Sequence, residues 1–517
     1  MTIYLRRLFT ACLAATCTLM PLAGSAGAQA STGVLSLSVR HATLKNTARP
    51  AGVLKAQIDS LDLLIGAATR LGRTSELRRL YAQASTLLAQ REWSPESEYA
   101  ASLVLRTDRQ VVDPARRWSV RLEQIYLPSI ALNRALSARA TLRQRAAGTA
   151  ANVPLAVVID LGVFDGVSRD LRDAPFVIDA DLRTLTDGTY TLAVEVLDSA
   201  RMLGTASMSV VVRKGLDASI ERLEAAAAGV SEPLRSDLLF PVDRLRQINN
   251  SRIALNTFNA SRAFASAESL LVAVNAKRDP WAGRTGDMKR HYLLEAAGEI
   301  MPYRLYVPKS YNASTPMPLI IALHGLGATE DSFFDAYGRV MPKLAEERGY
   351  IVAAPLGYRV DGAYGVSLGG SRDPAALRSQ SLSEQDVLQV LEQVRTQYKI
   401  DDARVFLVGH SMGAIGTWAM AAKRPGPWAG LGAFSGFGVA STAPSIRAIP
   451  QFVVHGDADP TVAVGGSRVM VAALKAAGTN VRYIEVPGGD HSNVVAPNLA
   501  GMFDFFDAIP RRSGSQR

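Results

Sequence analysis

Between residues 51 and 90 the apolar positions fall at helical spacing: Leu54, Ile58, Leu61, Leu64, Ile65 and Ala68, then Leu77, Leu80, Tyr81, Ala84, Leu87 and Leu88. Such a stripe lets one side of a helix enter a core, and Gly72 in the middle predicts two packed helices rather than one. From about Tyr99 to Lys214 the pattern shortens to β-branched and aromatic runs. Residues 118–123 and 192–197 alternate apolar with polar, and Asp187-Gly188 marks a turn just before Thr189-Tyr190-Thr191. Strands are predicted over 155–160, 176–181, 189–198 and 205–212. Helical spacing returns over 216–277 through Ile220, Leu223, Leu245, Ile248, Phe264 and Leu271, and turn formers collect over 278–287.

Beyond that point apolar strands alternate with helical stretches, the pattern of a parallel sheet. The strands are 303–307, 319–323, 351–354, 405–408, 430–434, 452–454 and 481–486; the helices are 344–347, 387–398, 417–423, 466–477 and 499–506. The strands read as continuous apolar runs, as burial on both faces requires. The fold class expected is therefore α/β, with a C-terminal domain built on a mostly parallel, doubly wound sheet and preceded by helices and a β-sandwich. The boundaries are a leader at 1–30, a helical segment at 31–98, the sandwich at 99–215, a second helical segment at 216–277, a linker at 278–294 and the C-terminal domain at 295–510. The sandwich resembles immunoglobulin-like modules carried by exported bacterial enzymes, a likeness of pattern rather than of motif.

Length supports several cores, since one core rarely grows past roughly 300 residues. The first residues stand apart: Arg6 and Arg7, an apolar run over 8–22, and Ala28-Gln29-Ala30 ahead of Ser31 have the order of a secretory signal peptide. The apolar run falls short of the ~20 residues a spanning helix needs, so no stable membrane span is expected after cleavage. Thr16 ahead of Cys17 argues against a lipoprotein signal. Both cysteines, Cys12 and Cys17, lie in this segment, which leaves the mature chain without disulfides or a thiol nucleophile. The expected location is outside the cytoplasm, periplasmic or extracellular. The net charge of +10 is dispersed over many arginines rather than gathered in runs, which excludes nucleic acid as the expected partner.

The candidate chemistry lies in the last third. Gly409-His410-Ser411-Met412-Gly413 follows the strand 405–408 and precedes a helix, so the serine sits on a sharp strand-to-helix elbow that raises its hydroxyl above the sheet. A serine hydroxyl needs a base, and of the six histidines only His491, in Gly489-Asp490-His491-Ser492, follows the last predicted strand. The imidazole needs a carboxylate. After strand 452–454 the segment His455-Gly456-Asp457-Ala458-Asp459-Pro460 offers two: Asp459 is preferred, with Asp457 as the alternative and as a candidate to shape the turn. Asp490 is a poor candidate, because adjacent loop side chains rarely face one another. The order Ser411, Asp459, His491 is one of the known orders for a serine hydrolase. An oxyanion hole needs two backbone N–H groups, expected from Met412 and from Leu326 in His324-Gly325-Leu326-Gly327. Residues 358–372, Gly-rich and with Tyr358 and Tyr364, are expected to form either a substrate-facing loop or a solvated surface loop. This chemistry needs neither metal nor organic cofactor.

These motifs resemble the α/β-hydrolase superfamily, and within it the exported esterases of the polyhydroxybutyrate depolymerase and feruloyl esterase type. They are similar also to the phospholipase/carboxylesterase family and to predicted peptidases near prolyl oligopeptidases. The likeness runs from about residue 295 onward and is specific for fold and catalytic set rather than for substrate. It implies a serine hydrolase acting on an ester or peptide substrate, polymeric or not, through an acyl-enzyme. Two alternatives are a serine peptidase and an inactive binding protein. No repeat of a β-propeller precedes the domain, unlike many prolyl oligopeptidase relatives, and a mature chain without cysteines departs from many secreted depolymerases. The oligomeric state is open at this level.

Overall fold

The computed structural model describes residues 34–132, 135–145, 155–368 and 374–510, so the expected signal segment lies outside the described residues. Three helices come first, α1 (Val34–Ala48), α2 (Gly52–Arg70) and α3 (Thr74–Leu88). Ile58, Leu61 and Ile65 of α2 share a core with Leu77, Leu80 and Ala84 of α3. These are the faces that the spacing marked. A fourth helix, α4 (Pro95–Ser102), starts on a cap in which Ser94 Oγ accepts the Ser97 N–H at 3.2 Å, with Pro95 at its first turn. It carries the chain past Tyr99, so the strands begin at Leu103 rather than at the expected boundary.

Eight strands follow: β1 (Leu103–Thr107), β2 (Val111–Val112), β3 (Trp118–Gln124), β4 (Leu136–Gln144), β5 (Ala156–Val167), β6 (Phe176–Ala180), β7 (Gly188–Asp198) and β8 (Arg201–Val212). They form two sheets, ordered β1-β3-β6 and β2-β8-β7-β4-β5. Alternate residues Trp118, Val120 and Leu122 of β3 share one core with Ala138, Ala140 and Leu142 of β4 and Leu192, Val194 and Val196 of β7. Helices α5 (Leu216–Ala227), α6 (Leu234–Asn249) and α7 (Ala260–Asn275) pack on one another through Leu223, Leu238, Leu245 and Phe264. The same cluster includes Val111 and Val211 from the neighbouring sheet.

The remaining strands are β9 (Gly286–Leu294), β10 (Glu299–Val307), β11 (Met317–Leu323), β12 (Ile351–Pro355), β13 (Ile400–His410), β14 (Gly430–Phe434), β15 (Gln451–Gly456) and β16 (Val481–Val486). They build one sheet in the order β16-β15-β14-β13-β11-β12-β10-β9, with parallel pairing from β12 across to β16 and antiparallel pairing at β10 and β9. Residues 286–294, expected as linker, are thus the edge strand of this sheet. Their charges disguised it. Asp237 on α6 accepts from Arg290 Nε at 3.3 Å and lies 2.9 Å from His291 Nδ1, while Lys289 Nζ donates to Asp331 at 2.9 Å. Pairing lets charged side chains sit on a buried strand, which composition alone reads as a loop.

Period-two alternation divides the sheet between its two faces. Val405 and Leu407 of β13 join one cluster, Phe406 and Val408 the other. The first face is covered by α9 (Pro374–Gln397), α10 (Met412–Lys423) and α11 (Gly465–Ala476), the second by α8 (Val340–Arg348) and α12 (Val495–Asp507). Central strands buried from both sides form a rigid platform, and the loops at their C-terminal ends carry the candidate residues.

Candidate active site

Strand β13 ends at His410 and helix α10 begins at Met412, leaving Ser411 between them at φ 56°, ψ −118°. For a residue with a Cβ this conformation costs of order 1–3 kcal/mol and persists only where the surroundings impose it. The imposing contacts are local: Ser411 N–H donates to Phe434 O at 2.8 Å, and Ile415 N–H donates to Ser411 O at 3.1 Å. The flanking glycines are required by space. A Cβ on Gly409 would stand 2.1 Å from Gly413 O, and one on Gly413 would stand 2.0 Å from Leu323 O.

His491, on the loop after β16, directs Nε2 at Ser411 Oγ across 2.9 Å and Nδ1 at Asp459 Oδ2 across 2.7 Å. Asp459, on the loop after β15, is fully buried and accepts from the Thr461 and Val462 N–H groups at 2.8 and 2.9 Å. Since a carboxylate only accepts, His491 carries its proton on Nδ1, which leaves Nε2 free to receive the serine proton. Burial alone would raise the Asp459 pKa. Hydrogen bonds from His455 and His491 and from the Val462 N–H outweigh it and hold the carboxyl far below the usual range, so it stays ionised.

Asp457 is used differently: its Oδ1 accepts the Gly488 N–H at 2.6 Å and ties the acid loop to the histidine loop. Asp490 folds back on the Ser492 and Asn493 N–H groups at 2.8 and 2.7 Å. The structure therefore brings Ser411, His491 and Asp459 into one line and leaves both other aspartates out of it.

The stretch after β11 lies against the elbow, where a Cβ on Gly325 would come within 3.3 Å of Ser411 Cβ. Gly327 N–H donates to Val360 O at 2.8 Å, and the His324 ring is clamped between the Gly325 and Leu356 carbonyl oxygens at 2.7 and 2.6 Å. Leu326 sits between these anchors with its side chain packed on the core. Met412 opens α10, where first-turn N–H groups lack intrahelical partners. Tyr364 corrects the expected substrate loop: it is fully buried, and its hydroxyl donates to His324 O at 3.1 Å, so it supports the loop beneath the site rather than facing a substrate. Residues 369–372 of that expected loop lie outside the described residues.

Three further residues shape the site without having been singled out by sequence. His410 Nε2 donates to His491 O at 2.8 Å, and its Nδ1 accepts from the Tyr337 hydroxyl at 2.9 Å. Burial, reinforced by the nearby His491, lowers its pKa to about 4, so it is neutral at pH 7. His455 lies with Nε2 3.2 Å from Asp459 Oδ2 and Nδ1 2.7 Å from Ser467 Oγ, backing the acid from behind. Asn46 on α1 donates through Nδ2 to Pro460 O at 2.6 Å, so the first helix touches the loop that carries the acid. His410 and His455 were visible in the motifs, where their strand-end positions could have suggested support for the two loops. Nothing in the α1 sequence announces its contact.

A family model described as putative esterase matches residues 295–503. Feruloyl esterase B of Neurospora crassa is 28% identical over 148 residues, 28% of this chain and 48% of that protein. The bifunctional acetylxylan esterase/xylanase XynS20E of Neocallimastix patriciarum is 28% identical over 155 residues, 30% of this chain and 21% of that protein. The chain thus spans less than half the length of these relatives. A solved ferulic acid esterase of Anaeromyces mucronatus aligns at 20% identity over 43% of this chain and 90% of that one, with a TM-score of 0.36. Among the described residues no helix is long and apolar enough to cross a membrane.

Proposed function

We propose that the chain is an exported serine hydrolase of the α/β-hydrolase esterase type that cleaves carboxylic esters, a reading supported by the match of residues 295–503 to a putative esterase model. The observation that carries this reading is the unbroken line from Ser411 Oγ through His491 to buried Asp459, at 2.9 and 2.7 Å, with the serine strained at the elbow. In this reading His491 Nε2 takes the proton as Ser411 Oγ bonds to the ester carbonyl carbon. Asp459 holds the resulting imidazolium, and the amides of Leu326 and Met412 receive the charge on the carbonyl oxygen. The imidazolium then protonates the leaving alcohol. Water, activated by the same histidine, releases the acid from Ser411.

The names of the relatives point to acetyl and feruloyl esters as the first substrates to try. Export follows from the leader-like residues 1–30. The two-sheet body over 99–215, with a single core between largely antiparallel sheets, supports an immunoglobulin-like module.

The deciding experiment compares the protein with Ser411→Ala on p-nitrophenyl acetate and methyl ferulate. A loss on the order of a millionfold in kcat is expected. Hydrolysis by the variant at a comparable rate overturns the reading.

A further inference from the structure

A cavity of about 880 Å³ lies between helices α6 and α7 and the β9–β10 edge of the large sheet. Ser411, Asp459 and His491 do not line it, although its wall includes Gly327, one residue beyond Leu326. It is separated from the nucleophile by the turn that follows β11.

Its charges divide into two groups. Arg304 is neutralised by Asp287 and Asp331, Lys289 by Asp331 and Arg359 by Glu299, at 2.5 to 2.9 Å. Arg244, Arg262 and Arg284 form no ion pair among the described residues. Arg244 is the telling one: it is only 3% exposed, lies 5.4 Å from the Phe240 ring, and has Nη1 buried without any hydrogen-bond partner. An unpaired guanidinium withdrawn from water costs several kcal/mol unless something supplies the missing acceptor. Two ring nitrogens of the wall, Trp281 Nε1 and His291 Nε2, are also buried and unpartnered.

Aromatic rings share the lining with these atoms. Phe240 stacks on His291 at 3.9 Å, and Arg284 lies over Trp281 at 5.0 Å. Arg244 and the Trp281 N–H are donors without partners, whereas His291 keeps its proton on Nδ1 against Asp237 and offers Nε2 as an acceptor. Set among flat apolar faces, the two donors fit a ligand that ends in a carboxylate and carries a ring behind it. Asp361 and the paired acids on the same wall disfavour a ligand of higher charge, such as a polyphosphate.

We propose that this cleft is a binding site for a small ring-bearing carboxylate, with Arg244 as the buried anchor and Arg284 at the mouth. The site is separate from the reacting serine, and the inference does not rest on the esterase reading.

Titration calorimetry of the full chain tests it with cinnamate as the probe, cinnamamide as its uncharged counterpart and inorganic phosphate as an anion without a ring. Cinnamate should bind at one site per chain, and cinnamamide and phosphate each at least about tenfold more weakly. Arg244→Met, which keeps the apolar stem, should weaken cinnamate about tenfold or more, the scale of one lost charge-assisted hydrogen bond. Arg284→Ala, on the exposed rim, should weaken it severalfold and decides the matter if Arg244→Met fails to fold. Binding should survive when Ser411 is blocked by a diethyl phosphoryl group. Absent binding, binding indifferent to the arginine substitutions, phosphate equal to cinnamate, or binding lost on blocking Ser411 would each overturn the proposal.

Discussion

His410 donates a hydrogen bond from Nε2 to the backbone oxygen of His491 at 2.8 Å, although 81 positions separate them in the chain. The residue beside the proposed nucleophile thereby holds the loop that carries the proposed base. The Tyr337 hydroxyl fixes the other ring nitrogen, so the imidazole has one tautomer and one orientation. His410 is a positioning residue, and its removal should act on the geometry of the reacting pair.

For His410→Ala we expect kcat to fall by about 10- to 100-fold with KM nearly unchanged, since a displacement of about 1 Å at the reacting atoms costs that much. Steady-state kinetics on p-nitrophenyl acetate separates the two constants. A raised KM with unaltered kcat would refute the role.

The same residue predicts a pH effect on stability. Its pKa is about 4 folded against 6.5 unfolded, so between those values the unfolded chain binds more protons and stability rises with pH. The contribution is complete above pH 6.5 and is lost as pH falls towards 4, to a total of about 3 kcal/mol. Buried Asp386, with a pKa raised to about 6 by burial, works in the opposite sense between 3.8 and 6. The contrast between the protein and His410→Ala therefore isolates the histidine. Denaturant unfolding at pH 7 and 4.5 should show the gap between the two proteins narrowing in acid.

The two aspartates of the acid loop should separate cleanly. Asp459→Asn loses the acceptor that fixes the His491 tautomer, and kcat should drop by about 10⁴. Asp457→Asn keeps an oxygen for the Gly488 N–H and should cost less than about tenfold. Equal losses in the two variants would mean that the acid has been assigned to the wrong residue.

Asp237 links α6 to the edge strand through Arg290 and His291, all three almost wholly buried. Asp237→Ala strands a buried guanidinium and should destabilise the protein by about 3–5 kcal/mol. Thermal unfolding measures it, and a melting point unchanged from the parent protein would contradict the clamp.

Much of the large sheet was legible because its central strands are apolar throughout. Residues 430–434 coincide with β14, since burial on both faces leaves little ambiguity; residues 481–486 coincide with the half-buried edge strand β16. The elbow was legible for a similar reason: the close approach at Gly409 and Gly413 admits no side chain. Strand β9 was hidden, because its burial depends on partners such as Asp237 that lie far away in sequence. Helix α1 lies inside the helical segment expected at 31–98, but its contact with the loop after β15 was hidden, because the partner is far away in sequence. Tyr364 was misjudged because Gly-rich surroundings read as an exposed loop, whereas a hydroxyl that finds a carbonyl can be fully buried.

The contact between Asn46 and Pro460 joins positions 414 residues apart. Helix α1 also packs on α2 and α3 through Val34, Leu37 and Leu44 and pairs His41 and Lys45 with Asp62, so the contact ties a locally built helical unit to the loop that carries Asp459. In a chain that emerges from its amino end, this helical unit is made first and its partner loop near Pro460 among the last, so the bond joins the two ends of synthesis.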